Sequence, residues 1–361
     1  MQKKSIISFP HIGNYHIEIK LLLKLLFKDS IVMPPPRITK KTIELGAKHS
    51  PDLVCLPFKY NLGCFIEALE KGADILFQGG GGCRYGYYAE LQEEILRDLG
   101  YEFKFIRLFN NNENMNVFKF YKNIKNAGCS ASLPETAYYL LLIIRAIKYQ
   151  DILEKYMREN IGFESEAGSF DNVMKQFYTQ MEFVKNFSAL NKIYKTASKL
   201  LHALPVNKPA DCYKVVLVGE LYSLMEPFSS CFIEKELAKN NIMVSRFTNV
   251  TYLLFEKTKK VKEVLKDADG YLKYELGADG TETVAHSVKL AKEGYDGIIH
   301  LKPFGCMPEI NAMPILQKIN RDFNIPVLYF SFDALTSETG IKTRLEAFYD
   351  MLKMRKKLNN E

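Results

Sequence analysis

The chain predicts an α/β protein of two Rossmann-like parallel-sheet lobes joined by a helical segment. Three observations carry this. Short β-branched or aromatic runs alternate with helical patterns from Ser5 to Phe109, with Gly and Pro at the joints. A second series of the same kind begins at Tyr213 and runs toward the C-terminus. Between them the pattern is helical throughout, and Pro205 and Pro209 close it. The expected organisation is an N-terminal lobe over 1–129, a helical connector over 130–208 and a C-terminal lobe over 209–361.

In the first lobe, SIISFP, DILFQ and FKFIRLF read as strands, and TKKTIELGAKH, NLGCFIEALEKG and YAELQEEILRDLG as helices. PPPRIT makes a rigid turn ending in Thr39, an expected N-cap. In the second, YKVVLVGE, MVSRF, DGIIHL and PVLYFSFD read as strands. CFIEKELAKNN, TVAHSVKLAKEGY, EINAMPILQKINRDF and RLEAFYDMLKMRKKL read as helices. The two lobes echo each other weakly. Asp74 precedes a strand and then Cys83 by nine residues, and Asp296 precedes a strand and then Cys306 by ten. Both cysteines thus fall in loops after strands, where open parallel sheets bind ligands.

Composition bounds the class. Of 361 residues, 47% are apolar and 25% charged, enough apolar surface for a sizeable core. The 49 Lys+Arg against 42 Asp+Glu leave only +7, spread along the chain, so a nucleic-acid partner is not expected. The apolar run AYYLLLII stops at Arg145, short of the roughly 20 residues a membrane helix needs. MQKKSIISFP lacks an apolar signal-peptide core, so a cytoplasmic protein without a membrane span is expected.

Seven widely spaced cysteines do not suit a secreted disulfide framework and leave metal ligands, reactive thiols or core residues. QGGGGCRYGYY follows a strand and opens a helix, but its glycines miss the dinucleotide spacing and no GK[ST] follows. The glycines around Cys83, Gly82 among them, allow close backbone approach with free N–H donors, which a sulfide-rich anionic cluster accepts. Arg84 adds a cation there, and Gly305 stands beside Cys306 as Gly82 does beside Cys83. Cys55, before Pro57, lies in a third such loop. Cys64 reads as a helix core residue, and Cys129, Cys212 and Cys231 as structural. His11, in FPHIGNYHI, is a weak catalytic candidate beside a loop or capping role.

With these residues in view, the chain resembles the 2-hydroxyacyl-CoA dehydratase component and CoA-substrate-specific enzyme activase-related proteins. The resemblance rests on FPHIGNYHI, PPPRITKKTIELGAKHSPDLVCLPFKYNLG, GADILFQGGGGCRYGYYAELQEEILRDLGY, GELYSLMEPFSS and GYDGIIHLKPFGCMPEINAMPILQK. It implies an iron–sulfur cluster, 4Fe-4S or a larger double-cubane type, in a cleft between the lobes on Cys55, Cys83 and Cys306. It also implies an ATP-hydrolysing activase of the sugar kinase/Hsp70/actin superfamily as electron donor. A second copy or a related dehydratase-like subunit would be a further partner. The activase would meet the loops at Cys83 and Cys306, with Arg84 and Lys302 as contacts. Where relatives commonly show an Asp-Glu-His run, FDALTSETG keeps Asp333 and Glu338, the latter a weak catalytic candidate.

Three functions follow as alternatives. The first is a lyase-like or reductase component acting on a small substrate such as an acyl-CoA. The second is a non-catalytic electron-transfer or scaffold protein holding the cluster. The third is a metal-free α/β nucleotide-binding protein, which anaerobic purification would separate by the absence of brown colour.

Overall fold

A computed structural model describes residues 4–79, 84–107 and 117–360. The chain divides into two compact units, one of residues 1–148 with 177–193 and one of 149–176 with 194–361. In chain order the first lobe's elements are β1 (Ile6–Ser8), α1 (His16–Leu26), β2 (Ile31–Val32), α2 (Lys40–His49), α3 (Leu56–Glu70), β3 (Ile75–Gln78), α4 (Tyr88–Asp98), β4 (Lys104–Arg107) and α5 (Val117–Asn126). Three long helices follow: α6 (Leu133–Asn160), α7 (Ser169–Met181) and α8 (Phe187–Ala203). The second lobe has β5 (Tyr213–Gly219), α9 (Leu221–Met225), α10 (Ile233–Lys239), β6 (Ile242–Arg246), α11 (Lys257–Asp267), α12 (Gly280–Lys292), β7 (Gly297–Pro303), α13 (Met307–Phe323), β8 (Val327–Phe332) and α14 (Glu338–Asn360).

Both sheets are parallel and share one topology. The first runs β2-β1-β3-β4 and the second β6-β5-β7-β8. The order therefore reverses between β1 and β3 in one lobe and between β5 and β7 in the other, the switch points where doubly wound sheets take ligands. The echo seen in the sequence falls on equivalent strands. Asp74, just before β3, accepts a hydrogen bond from the Ile6 N–H at 2.8 Å, and its own N–H donates to the Ile6 carbonyl. Asp296, just before β7, does the same with Lys214, again at 2.8 Å. Each aspartate thus locks the third strand's entry to the start of the first strand.

Alternation along the strands sorts side chains into two cores per sheet. In the first lobe Ile7, Ile75, Phe77 and Ile106 pack with α1 and α5 residues such as Leu23, Leu26 and Ile124. Leu76 points the other way, into a core of Phe58, Leu62, Phe65 and Leu96 from α3 and α4. In the second lobe Val216, Val218 and Ile298 meet Val284, Val288, Ala312 and Leu316. On the opposite face Gly297 lies against Phe348 and Leu352 of α14.

Two local devices hold the helix that begins after Cys55. Thr39 caps α2 through a reciprocal box with Thr42, and the Thr42 hydroxyl donates to buried Glu67 of α3 at 2.7 Å. Gly63 lets the helices approach, because a Cβ there would stand 2.0 Å from the Thr42 carbonyl oxygen. The helix expected to start near Asn61 starts at Leu56 instead, since Pro57 falls in its first turn, where the missing N–H costs nothing. The strand β2 and the helices α1, α5, α9 and α11 were not read from the sequence.

Candidate functional site

Cys55 and Cys306 occupy matching positions. Each is the N-cap of a long helix, α3 or α13, with Pro57 or Pro308 two residues on. Both helices start at the carboxyl edge of their sheet, α13 directly after β7 and α3 by running antiparallel into β3. Both cysteines are partly exposed. A thiolate at such a helix start meets the positive end of the helix dipole, which favours the ligating form. The Cys55 sulfur also lies 3.1 Å from the Tyr88 hydroxyl at the start of α4. Cys83 and Gly82 lie outside the described residues. Gly305 is exposed beside Cys306.

The other cysteines differ. Cys64 is 1% exposed inside α3. Cys129 is buried, donates to the Leu26 carbonyl at 3.2 Å, and burial raises its thiol pKa. Burial also raises that of Cys231. Among the described residues no three His, Cys, Asp or Glu side chains converge on a metal-sized site.

The carboxyl edge of the second sheet carries polar groups that sequence reasoning missed. Glu220 follows β5 directly and accepts hydrogen bonds from the N–H groups of Tyr222 and Ser223 and from the Ser223 hydroxyl. Asp279, at the start of α12, accepts from the Leu221 N–H and, at 2.8 Å, from Lys257. Lys257 also pairs with Glu282 at 3.3 Å, and the Tyr252 hydroxyl donates to Glu282 at 3.4 Å. Tyr252 opens a π-helical turn, Tyr252–Glu256. Burial would lower the Lys257 pKa, but Asp279 and Glu282 outweigh it and keep it raised. The only sequence signal was Glu immediately after a strand-ending Gly; Tyr252, Lys257, Asp279 and Glu282 come from 32 to 62 residues downstream.

Next to Cys306 lies a second buried network. Cys-Met-Pro-Glu has the spacing of a capping box, yet Glu309 turns inward, accepting from the Thr283 hydroxyl at 3.0 Å and meeting His300 Nε2 at 2.7 Å. His300 and Glu309 are both fully buried. This couples the first turn of α13 to β7 and α12, and Gly280 of α12 packs on the Pro308 carbonyl.

Three expectations are placed by the structure. Lys302 is 4% exposed and donates to the Phe304 carbonyl, so it is not the surface contact expected for a partner. Burial lowers its pKa, opposed by the negative fields of Cys306 and Glu309. Exposed at that edge instead are Phe304 and Met307. His11 stacks on His16, with ring centroids 4.9 Å apart, in the loop after β1. Glu338 is exposed at the start of α14 and pairs with Lys342 at 2.8 Å.

The Glu220 carboxyl titrates near neutrality. Burial and the charge of Asp279 push its pKa from 4.5 up to about 7, against the lowering effect of the Tyr222 and Ser223 hydrogen bonds. The folded state therefore keeps a proton that the unfolded chain has lost, and stability falls as pH rises from 4.5 toward 7. The slope reaches at most about 1.4 kcal/mol per pH unit. Glu220→Gln flattens it, as urea titrations at several pH values will show.

Two four-stranded parallel sheets, each reversing its strand order between the two inner strands, define a doubly wound α/β protein. The model of 2-hydroxyglutaryl-CoA dehydratase, D-component, matches residues 150–352. The chain belongs to this family of 2-hydroxyacyl-CoA dehydratase components. No curated protein matches the chain. Among the described residues no helix is long and apolar enough to cross a membrane.

Proposed function

We propose that the chain is an iron–sulfur protein of the 2-hydroxyacyl-CoA dehydratase type, with one cluster held by Cys55, Cys83 and Cys306. The observation that carries this is the matched placement of Cys55 and Cys306, each an N-cap followed by Pro at a sheet's carboxyl edge, in a chain of this family. Cys55, half-buried beside the Tyr88 hydroxyl, and Cys306, beside the Lys302 ammonium, suit an anionic group of thiolates and sulfide.

When bound, such a cluster supplies one-electron chemistry at very low potential. The residues around it bind, orient and hold charge. The helix starts and Lys302 offset the negative charge of the thiolates, and the His300–Glu309 couple fixes the turn that carries Cys306. Three protein ligands would leave one iron position for a substrate oxygen or a bridging group. An ATP-hydrolysing activase delivers the electron, and the substrate is a small molecule such as a 2-hydroxyacyl-CoA.

The test is anaerobic. The protein is mixed with an activase, reductant and ATP, and followed by electron paramagnetic resonance. A reduced-cluster signal that requires both ATP and activase is expected; equal reduction without them removes the protein from this pathway.

A further inference from the structure

Two buried polar side chains at the carboxyl edge of the first sheet are without hydrogen-bond partners among the described residues. Ser8 ends β1 at 0% exposure and Gln78 ends β3 at 2%. The Ser8 hydroxyl and both amide atoms of Gln78 have no partner among the described residues. Ser8 pairs with Leu76 across the sheet, so Gln78 stands two residues further on, past the end of β1. Ile7, Ile75 and Phe77 belong to the core under α1 and α5. Leu76 belongs to the core under α3 and α4, with Ile6 packed against it. Alternation then puts Ser8 and Gln78 on the α3/α4 face.

That face carries one candidate ligand at the same edge. Cys55 begins α3 and Tyr88 begins α4; both pack against the same core, and their sulfur and hydroxyl are 3.1 Å apart. Buried polar groups are nearly always hydrogen-bonded, and leaving one orphaned is costly. Three orphaned atoms on two neighbouring strand ends therefore call for an occupant. Hydroxyl and amide together bring three donor hydrogens and no charge, a set that suits polarisable anionic sulfur.

We propose that Ser8 and Gln78 donate hydrogen bonds to sulfur atoms of the group bound at Cys55 and so raise its reduction potential. This rests on the cluster reading above. Donors to the sulfurs stabilise the more negative, reduced form, so removing them makes reduction harder.

The test uses Gln78→Met, which keeps side-chain length without donors, and Ser8→Ala, the smaller change, in the full chain purified anaerobically. Iron content is expected to match wild type while the midpoint potential moves to more negative values in each variant. After the iron is stripped with chelator, Gln78→Met is expected to unfold at a higher temperature than stripped wild type, because the orphaned amide is gone. An amide with a purely structural partner would lower that temperature instead. Wild-type potential in iron-replete variants, or a lower unfolding temperature of stripped Gln78→Met, overturns this inference alone. A wild-type protein without iron overturns the cluster reading and this inference with it.

Discussion

Cys306→Ala and Cys55→Ala each lose most of their iron in anaerobically purified protein, whereas Cys129→Ala, Cys212→Ala and Cys231→Ala keep it. The expectation follows from what each sulfur does in the fold. Cys129 donates to a backbone carbonyl inside a core, and its loss costs packing. Cys55 and Cys306 stand at helix starts without capping their helices through the side chain, so alanine there leaves the helix intact and removes a proposed ligand. Colorimetric iron assay checks the five variants side by side, with far-ultraviolet circular dichroism to confirm that each is folded. Full iron in both Cys55→Ala and Cys306→Ala would remove these residues from the site.

Gly219→Val prevents stable folding of the second lobe. Gly219 has φ 137°, a conformation open to glycine and strained for any side chain. A Cβ at this position would lie 1.9 Å from the Leu301 carbonyl oxygen of the neighbouring strand, the same oxygen that accepts the Glu220 N–H. The valine would force β5 and β7 apart at the switch point, a loss of about 4 kcal/mol or more. Gly79→Ala, by contrast, meets nothing within 4 Å among the described residues and is expected to fold as wild type. Thermal unfolding of the two variants gives the comparison.

Much of the fold was legible because its signals are local. Buried parallel strands read as apolar β-branched runs such as KVVLV and DGIIHL, and amphipathic helices such as YAELQEEILRDLG read from their period. The paired aspartates Asp74 and Asp296 were visible as an echo, and their shared bond to the first strand gives it a physical cause. The helix α11, KTKKVKEVLKD, was missed because its lysine-rich face leaves few apolar positions to set a period. The start of α3 was missed because Pro57 reads as a breaker until it is known to stand in the first turn.

The candidate site was legible only where one residue type announced it. Cys55 and Cys306 stood out by their Pro- and Gly-rich surroundings. The Glu220–Asp279–Lys257 and His300–Glu309–Thr283 networks did not, because their members come from different helices and strands and meet only once the sheet is formed. Lys302 read as a surface cation from its neighbourhood in sequence. Its place near the end of β7 buries it.

The most direct test of the cluster assignment is the iron and acid-labile sulfide content of the wild-type chain purified without oxygen. If the assignment holds, the protein is brown, with iron and sulfide in nearly equal amounts that chelator and acid release together. A colourless protein with neither, folded and stable, would contradict it.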